Sequence, residues 1–126
     1  MPHQLTWEKK GVLSQYSGPF TEALHAEGLH KLFGDPRIDR IKYIIGDYSG
    51  VNGNLLTEEY IDYPVAITTG AARYLKELKV ALVARDPDII KLCHQFRELA
   101  KSINAHWKFQ IFDDIGSARK WVNSSL

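Results

Sequence analysis

Four aspartates stand where short apolar runs end: Asp47, Asp86, Asp113 and Asp114. Carboxylates gathered at one edge would suit a divalent cation, because hard cations take oxygen ligands. The same residues have a plainer use. Asp86 precedes Pro87, so Asp can cap the orphan amides of a helix while proline fills the first helical position with a suitable φ and no amide to waste. Asp113 or Asp114 is placed to cap a closing helix, and Asp47 to accept amides of its own loop. Helix caps and loop hydrogen bonds account for acids at these positions, so no metal and no cofactor are expected. Thr57 could take a phosphate at a helix start, but Glu58 and Glu59 would repel it, and an N-cap role is expected instead. Cys93 beside His94 invites a nucleophile–base pair. Neighbours on a helix point about 100° apart, so Cys93 is expected as a small core residue. His25, His30 and His106 show no metal-ligand spacing and read as surface or internally satisfied histidines. Gly50-Val51-Asn52-Gly53 lacks the spacing and the Lys-Ser/Thr of a phosphate loop. Tyr43, Tyr48, Tyr60, Tyr63 and Tyr74 crowd the middle of the chain. They either pack a core or line a small apolar pocket.

These residues must be held by alternating strands and helices. Leu5 to Lys9 and Val12 to Ser17 alternate apolar and polar positions about a Lys10-Gly11 turn, which predicts a hairpin. From Thr21 to Phe33 the apolar residues Leu24, Leu29, Leu32 and Phe33 fit a helix, with Thr21 as N-cap and Gly34-Asp35-Pro36 as its stop. Ile41 to Asp47 is apolar on both faces, the mark of a central strand covered on two sides. Ser49 to Asn54 is a loop. The helix after Thr57 contains Pro64, which should kink or delay it. Lys79 to Ala84 is a short apolar strand. Ile89, Leu92, Cys93, Phe96, Leu99, Ala100 and Ile103 form the stripe of the next helix. Trp107 to Phe112 is the last strand, and Ile115, Ala118, Trp121 and Val122 form the stripe of the last helix. The order is β-β-α-β-α-β-α-β-α. It predicts an α/β domain with a mostly parallel sheet and an antiparallel first strand.

Bulk properties bound the function. The 126 residues, 44% hydrophobic and 25% charged, suit one domain spanning residues 1–126 with its own core. A net charge of +1 argues against a nucleic-acid binder, which needs a basic face. No apolar run is long enough to cross a bilayer, and the N-terminus lacks the pattern of a signal peptide. A single cysteine excludes an internal disulfide, so a reducing cytoplasm is the expected location.

The element order resembles the SpoIIAA-like fold of STAS domains (sulphate transporter and anti-sigma-factor antagonist) and of the related CRAL-TRIO lipid carriers. The local match is Tyr43-Ile44-Ile45-Gly46-Asp47-Tyr48-Ser49-Gly50-Val51, which is similar to a STAS strand ending in Asp, then a small polar residue and Val. Ala81-Leu82-Val83-Ala84, and Phe112 with Ala118-Arg119-Lys120-Trp121, are similar to a compact bacterial subgroup. The resemblance implies a non-enzymatic regulatory or protein-interaction module. Its contact surface would include Asp47, Ser49, Gly50, Asn52, Thr57 and Asp86. The alternative it implies is a carrier or sensor of a small apolar, lipid-like ligand. Antagonists of this family carry a phosphorylatable serine in an Asp-Ser-Ser-Gly-like stretch. The corresponding run here, Asn52-Gly53-Asn54-Leu55-Leu56-Thr57, has none, so no phospho-switch is implied. A homodimer is expected from the edge strand of the hairpin, with Trp7 and Tyr16 adding apolar contact.

Overall fold

The computed structural model describes residues 2–103 and 106–124. Five strands form one sheet in the order β1-β2-β3-β4-β5: His3–Trp7, Gly11–Tyr16, Tyr43–Asp47, Leu78–Val83 and Trp107–Phe112. β1 and β2 are antiparallel and every later pair is parallel. The helices are α1 (Glu22–Phe33), α2 (Asp62–Ala71), α3 (Pro87–Ile103) and α4 (Ile115–Asn123). The domain is therefore α/β with an antiparallel first strand, as the alternation of patterns predicts. The chain steps across the sheet without reversing. Right-handed crossovers between consecutive parallel strands must then all lie on one face.

The packing follows that rule. Alternate residues of the strands split into two cores. Val12, Ile44, Val80, Leu82 and Phe109 face α1, α2 and α3, meeting Leu32, Ala71, Ile89 and Cys93. Leu13, Tyr43, Ile45, Ala81 and Val83 face α4, which inserts Ala118 and Val122. Ile45 is wholly buried in the second core, a side chain whose removal from water is worth about 1.5–3 kcal/mol. β3 is covered on both faces, which is why it carries no polar alternation.

Local signals set most boundaries. Thr21 accepts the Leu24 amide at 3.1 Å and caps α1. Asp86 accepts the amides of Asp88 and Ile89 at the start of α3, and Asp114 accepts the Ser117 amide to cap α4. Asp114, not Asp113, is thus the second cap. Pro64 delays α2: a short 3₁₀ helix, Glu58–Ile61, comes first, and proline then lies in the first turn of α2 where no amide bond is lost. The hairpin departs from the pattern-based reading. β1 begins at His3 because His3 is buried, its ring stacked 4.5 Å from Tyr16 and its Nε2 hydrogen-bonded to Ser14 Oγ at 2.9 Å. Lys9 falls in the turn. On α3, Leu99 is 42% exposed because it flanks the stripe centred on Cys93 and Ala100; the side chain of Ile103 lies outside the described residues.

α4 is fastened to the hairpin by charge. Arg119 donates two hydrogen bonds to Glu8, at 3.0 and 2.7 Å, and the Tyr43 hydroxyl donates to the same carboxylate. The hydrogen bonds from Arg119 hold the Glu8 carboxyl below its usual range, despite partial burial. Lys79 Nζ donates to the Trp121 carbonyl at 2.9 Å and lies over the Trp121 ring, satisfying the carbonyl end of α4.

One close approach fixes where α1 can lie. A Cβ at Gly28 would fall 2.1 Å from the Tyr16 hydroxyl oxygen and 2.8 Å from its ring carbons. Tyr16 cannot swing aside, because its ring is stacked between His3 and Tyr48. Gly28→Ala should therefore lower stability by about 1–3 kcal/mol despite the better helix propensity of alanine. Chemical denaturation measures this; an unchanged or raised midpoint would show that Tyr16 is free to move.

Candidate functional site

The sequence-predicted surface residues lie along the segment from the end of β3 to the start of α2. Asp47 closes its own loop: its carboxylate accepts the Ser49 amide at 3.0 Å and the Ser49 hydroxyl at 2.7 Å, and also the Gln15 side-chain amide at 3.2 Å. Gly50 and Asn52 are exposed, and Asn52 Oδ1 accepts the Asn54 amide. Asp86 reaches across from α3 to accept the Gly53 amide at 3.1 Å. Thr57 departs from expectation. Its side chain caps nothing; its amide and hydroxyl both donate to Glu22 of α1, at 2.6 and 2.8 Å. A residue whose amide and hydroxyl meet a neighbour's carboxylate gains more from that acceptor than from capping a single 3₁₀ turn.

The loop is thus anchored to three elements: β2 through Asp47, α3 through Asp86 and α1 through Glu22. Asp47, Asp86 and Asp114 are each spent on local donors. Among the described residues no group of three or more His, Cys, Asp or Glu side chains is placed to hold a metal ion. No described helix is long and apolar enough to cross a membrane.

The tyrosines do not form one group. Tyr43 lies on the α4 side of the sheet, and Tyr74 is 57% exposed. Tyr63 stacks on Tyr60 and hydrogen-bonds His30. Only Tyr48 and Tyr60 reach the space between the sheet and the three crossover helices. There they line a cavity of about 110 Å³. Its walls are mostly aliphatic and aromatic, with Leu32, Ile44, Leu82, Cys93 and Phe96 among them. Tyr16 belongs to the adjoining core and Trp7 is half-buried beneath the Arg37 guanidinium, 4.7 Å away. Tyr16 is therefore not available to a dimer interface.

His25 is the residue that sequence reasoning undervalued. It is buried, its Nδ1 lies 2.7 Å from the Tyr60 hydroxyl and its Nε2 lies 3.1 Å from the Tyr48 hydroxyl. Burial drives its pKa down to about 3, so the ring is neutral. A neutral imidazole donates from one nitrogen and accepts at the other. Tyr48 is half-buried, its ring packed against Tyr16, Phe20 and His25, and burial raises its hydroxyl pKa well above the ordinary value. Its proton needs an acceptor, so Tyr48 donates to Nε2, and Nδ1–H donates to the Tyr60 oxygen. No spacing of histidines signals this, because the partners come from β3's loop and the 3₁₀ turn. Cys93 is the expected core thiol, pushed up to about 12 by burial alone.

The chain matches no protein-family model and no curated protein. Among solved structures it is similar to the crystal structure of an anti-sigma factor antagonist from Mycobacterium paratuberculosis. The likeness has a TM-score of 0.64 at 20% identity and covers 97% of this chain and 93% of that one. The architecture is thus the SpoIIAA-like fold of STAS domains, as the element order implies.

A pH dependence follows from His25. Its folded pKa lies below the unfolded value of 6.5, and burial also lowers that of His3. The unfolded chain therefore binds more protons below pH 6.5, and stability falls as pH drops through the window from about 6.5 to about 3. His25 alone should give a slope approaching about 1.4 kcal/mol per pH unit. Urea denaturation across that window should show the loss, and His25→Gln should remove most of it. A slope that His25→Gln leaves intact would place the titration elsewhere.

Proposed function

We propose that this chain is a non-enzymatic, cytoplasmic interaction module of STAS type, which presents Ser49, Gly50 and Asn52 to a protein partner. The anchoring of this loop by Asp47, Asp86 and Glu22 supports the reading. A loop held in one conformation meets a partner without a large ordering cost. Its exposed groups are neutral and polar, and Leu55, 54% exposed, adds an apolar contact beside them. The antagonist role named for the structural neighbour is a role of the same class. The Asp-Ser-Ser-Gly-like stretch of the antagonists has no counterpart in this loop, so their phospho-switch is not part of the reading. A photo-crosslinking residue at Asn52 should trap one discrete partner in the cells that make the protein, and the same residue at Gln4, exposed on the far side of the sheet, should not. Equal trapping at both positions, or none at Asn52, would remove the loop from the contact surface.

β1 hydrogen-bonds to a strand on one side only, and its free edge supports self-association of the module. Light scattering should return twice the chain mass, and a monomer at high concentration would discard the dimer.

A second reading, favoured by the apolar cavity, is a carrier or sensor of a small apolar ligand. The half-buried residues Leu56, Tyr60 and Ile61 line the cavity from the segment that continues the presented loop. Occupancy would therefore be felt at the proposed contact surface. Native mass spectrometry of protein purified without detergent should show a bound small molecule; protein that is always bare would count against this reading.

A further inference from the structure

We infer that the cavity between the sheet and α1, α2 and α3 binds a neutral, ring-sized molecule with a single hydrogen-bond acceptor, and that the Tyr60 hydroxyl is the donor that recognises it. The inference rests on the ligand-binding reading above and names its ligand class.

Size comes first. A space of about 110 Å³ is somewhat smaller than the engineered apolar cavity of roughly 150 Å³ that holds benzene. A space of that order takes a molecule of about one small ring rather than a long chain held whole. Charge comes second. No Asp, Glu, Lys or Arg is among the residues that line it, and His25 is neutral, so a charged ligand would lose its hydration and gain no counter-ion.

Polarity comes third, from a count of protons. Seven lining side chains carry hydrogen-bonding groups: Ser14, His25, Tyr48, Tyr60, Thr68, Cys93 and Trp107. Trp107 Nε1 donates to the Leu75 carbonyl at 2.7 Å, and the Cys93 thiol is only a weak donor. Ser14 is bonded to His3, and Thr68 donates to the Pro64 carbonyl at 2.8 Å. Tyr48 donates to His25, and His25 donates to Tyr60. Tyr60 accepts in this chain, so its own O–H is left over. With Tyr48 donating to Nε2, Nδ1–H faces the Tyr60 oxygen, and the spare donor lies at the Tyr60 end, beside the half-buried Leu56 and Ile61. Water is a poor occupant, because it needs two to four polar partners and the walls offer one strong donor and a weak thiol. A ketone-like oxygen on an apolar ring matches the single donor and fills the rest of the space with carbon.

The test is a titration of the isotopically labelled full chain, followed by amide chemical shifts. Cyclohexanone serves as the probe and methylenecyclohexane as its match in shape without an acceptor. Both should give saturable shifts at Cys93 and Leu32, with cyclohexanone roughly fivefold tighter, the worth of one ordinary hydrogen bond. Tyr60→Phe should erase that preference while leaving the hydrocarbon bound. Tyr60 is half-buried at the surface, so this variant keeps the fold, and the dispersion of its spectrum verifies that. Cys93→Leu, which fills the space, should abolish binding of both, and cyclohexanecarboxylate should not bind. No saturable shift with either probe overturns the site. Equal affinity for the two probes, or a preference that survives Tyr60→Phe, overturns the assignment of Tyr60. The titration contains no protein partner, so its failure leaves the interaction surface untouched, and failure of the crosslinking leaves the cavity untouched.

Discussion

The constraint on which the rest of the molecule depends is the direct march of the chain across its sheet. β2, β3, β4 and β5 are neighbours in sequence order. Three right-handed crossovers between them cannot alternate sides, so α1, α2 and α3 crowd one face and α4 is left to cover the other. The two cores that result are unequal. The α4 side is small and tightly closed, with Ile45, Ala81, Ala118 and Val122 wholly buried. The crossover side must fit three helices of different length against five strands, and its aromatic side chains meet edge to face and in offset stacks rather than interlocking closely. The cavity lies on that side, between the sheet and the three crossover helices.

The same topology puts the loops after β3 and β4 at the carboxyl edge of the sheet on the crowded side. The loop after β3 is long, and it would be a poor contact surface if it wandered. Three acids prevent that, each from a different element, and each makes a hydrogen bond to a backbone amide of the loop. Amides that would otherwise bond water are satisfied by carboxylates, whose hydrogen bonds are stronger than those of neutral acceptors. The acids therefore shape the site without being its chemistry.

The alternation of strand and helix, the capping of α3 by Asp86 and the burial of Cys93 were legible in the sequence because each depends on residues close together in the chain. Periodicity and capping are local signals. The start of β1 was not, since His3 is polar and its burial depends on Ser14 and Tyr16 of the next strand. Thr57 was misread for the same reason: helix-start chemistry is local, while Glu22 comes from another helix 35 positions away. The tyrosines show the limit most clearly. Their density pointed to a pocket, and a pocket exists, but the sheet's two faces divide them. Tyr43 and Tyr48 stand in or next to one strand and end on opposite sides.

His25 carries this point into energetics. A buried polar ring is costly unless both nitrogens are paired, and its partners Tyr48 and Tyr60 are themselves costly to bury unless their hydroxyls are paired. The three groups satisfy one another in a chain that runs from Tyr48 through His25 to Tyr60. Direction is not arbitrary. Reversing it would strand the Tyr48 proton in an apolar interior, while the existing order puts the surplus proton at Tyr60, near the surface. The enclosure of Tyr48 is itself set by the stacking of its ring on Tyr16, and Tyr16 is held in turn by the bare backbone of Gly28.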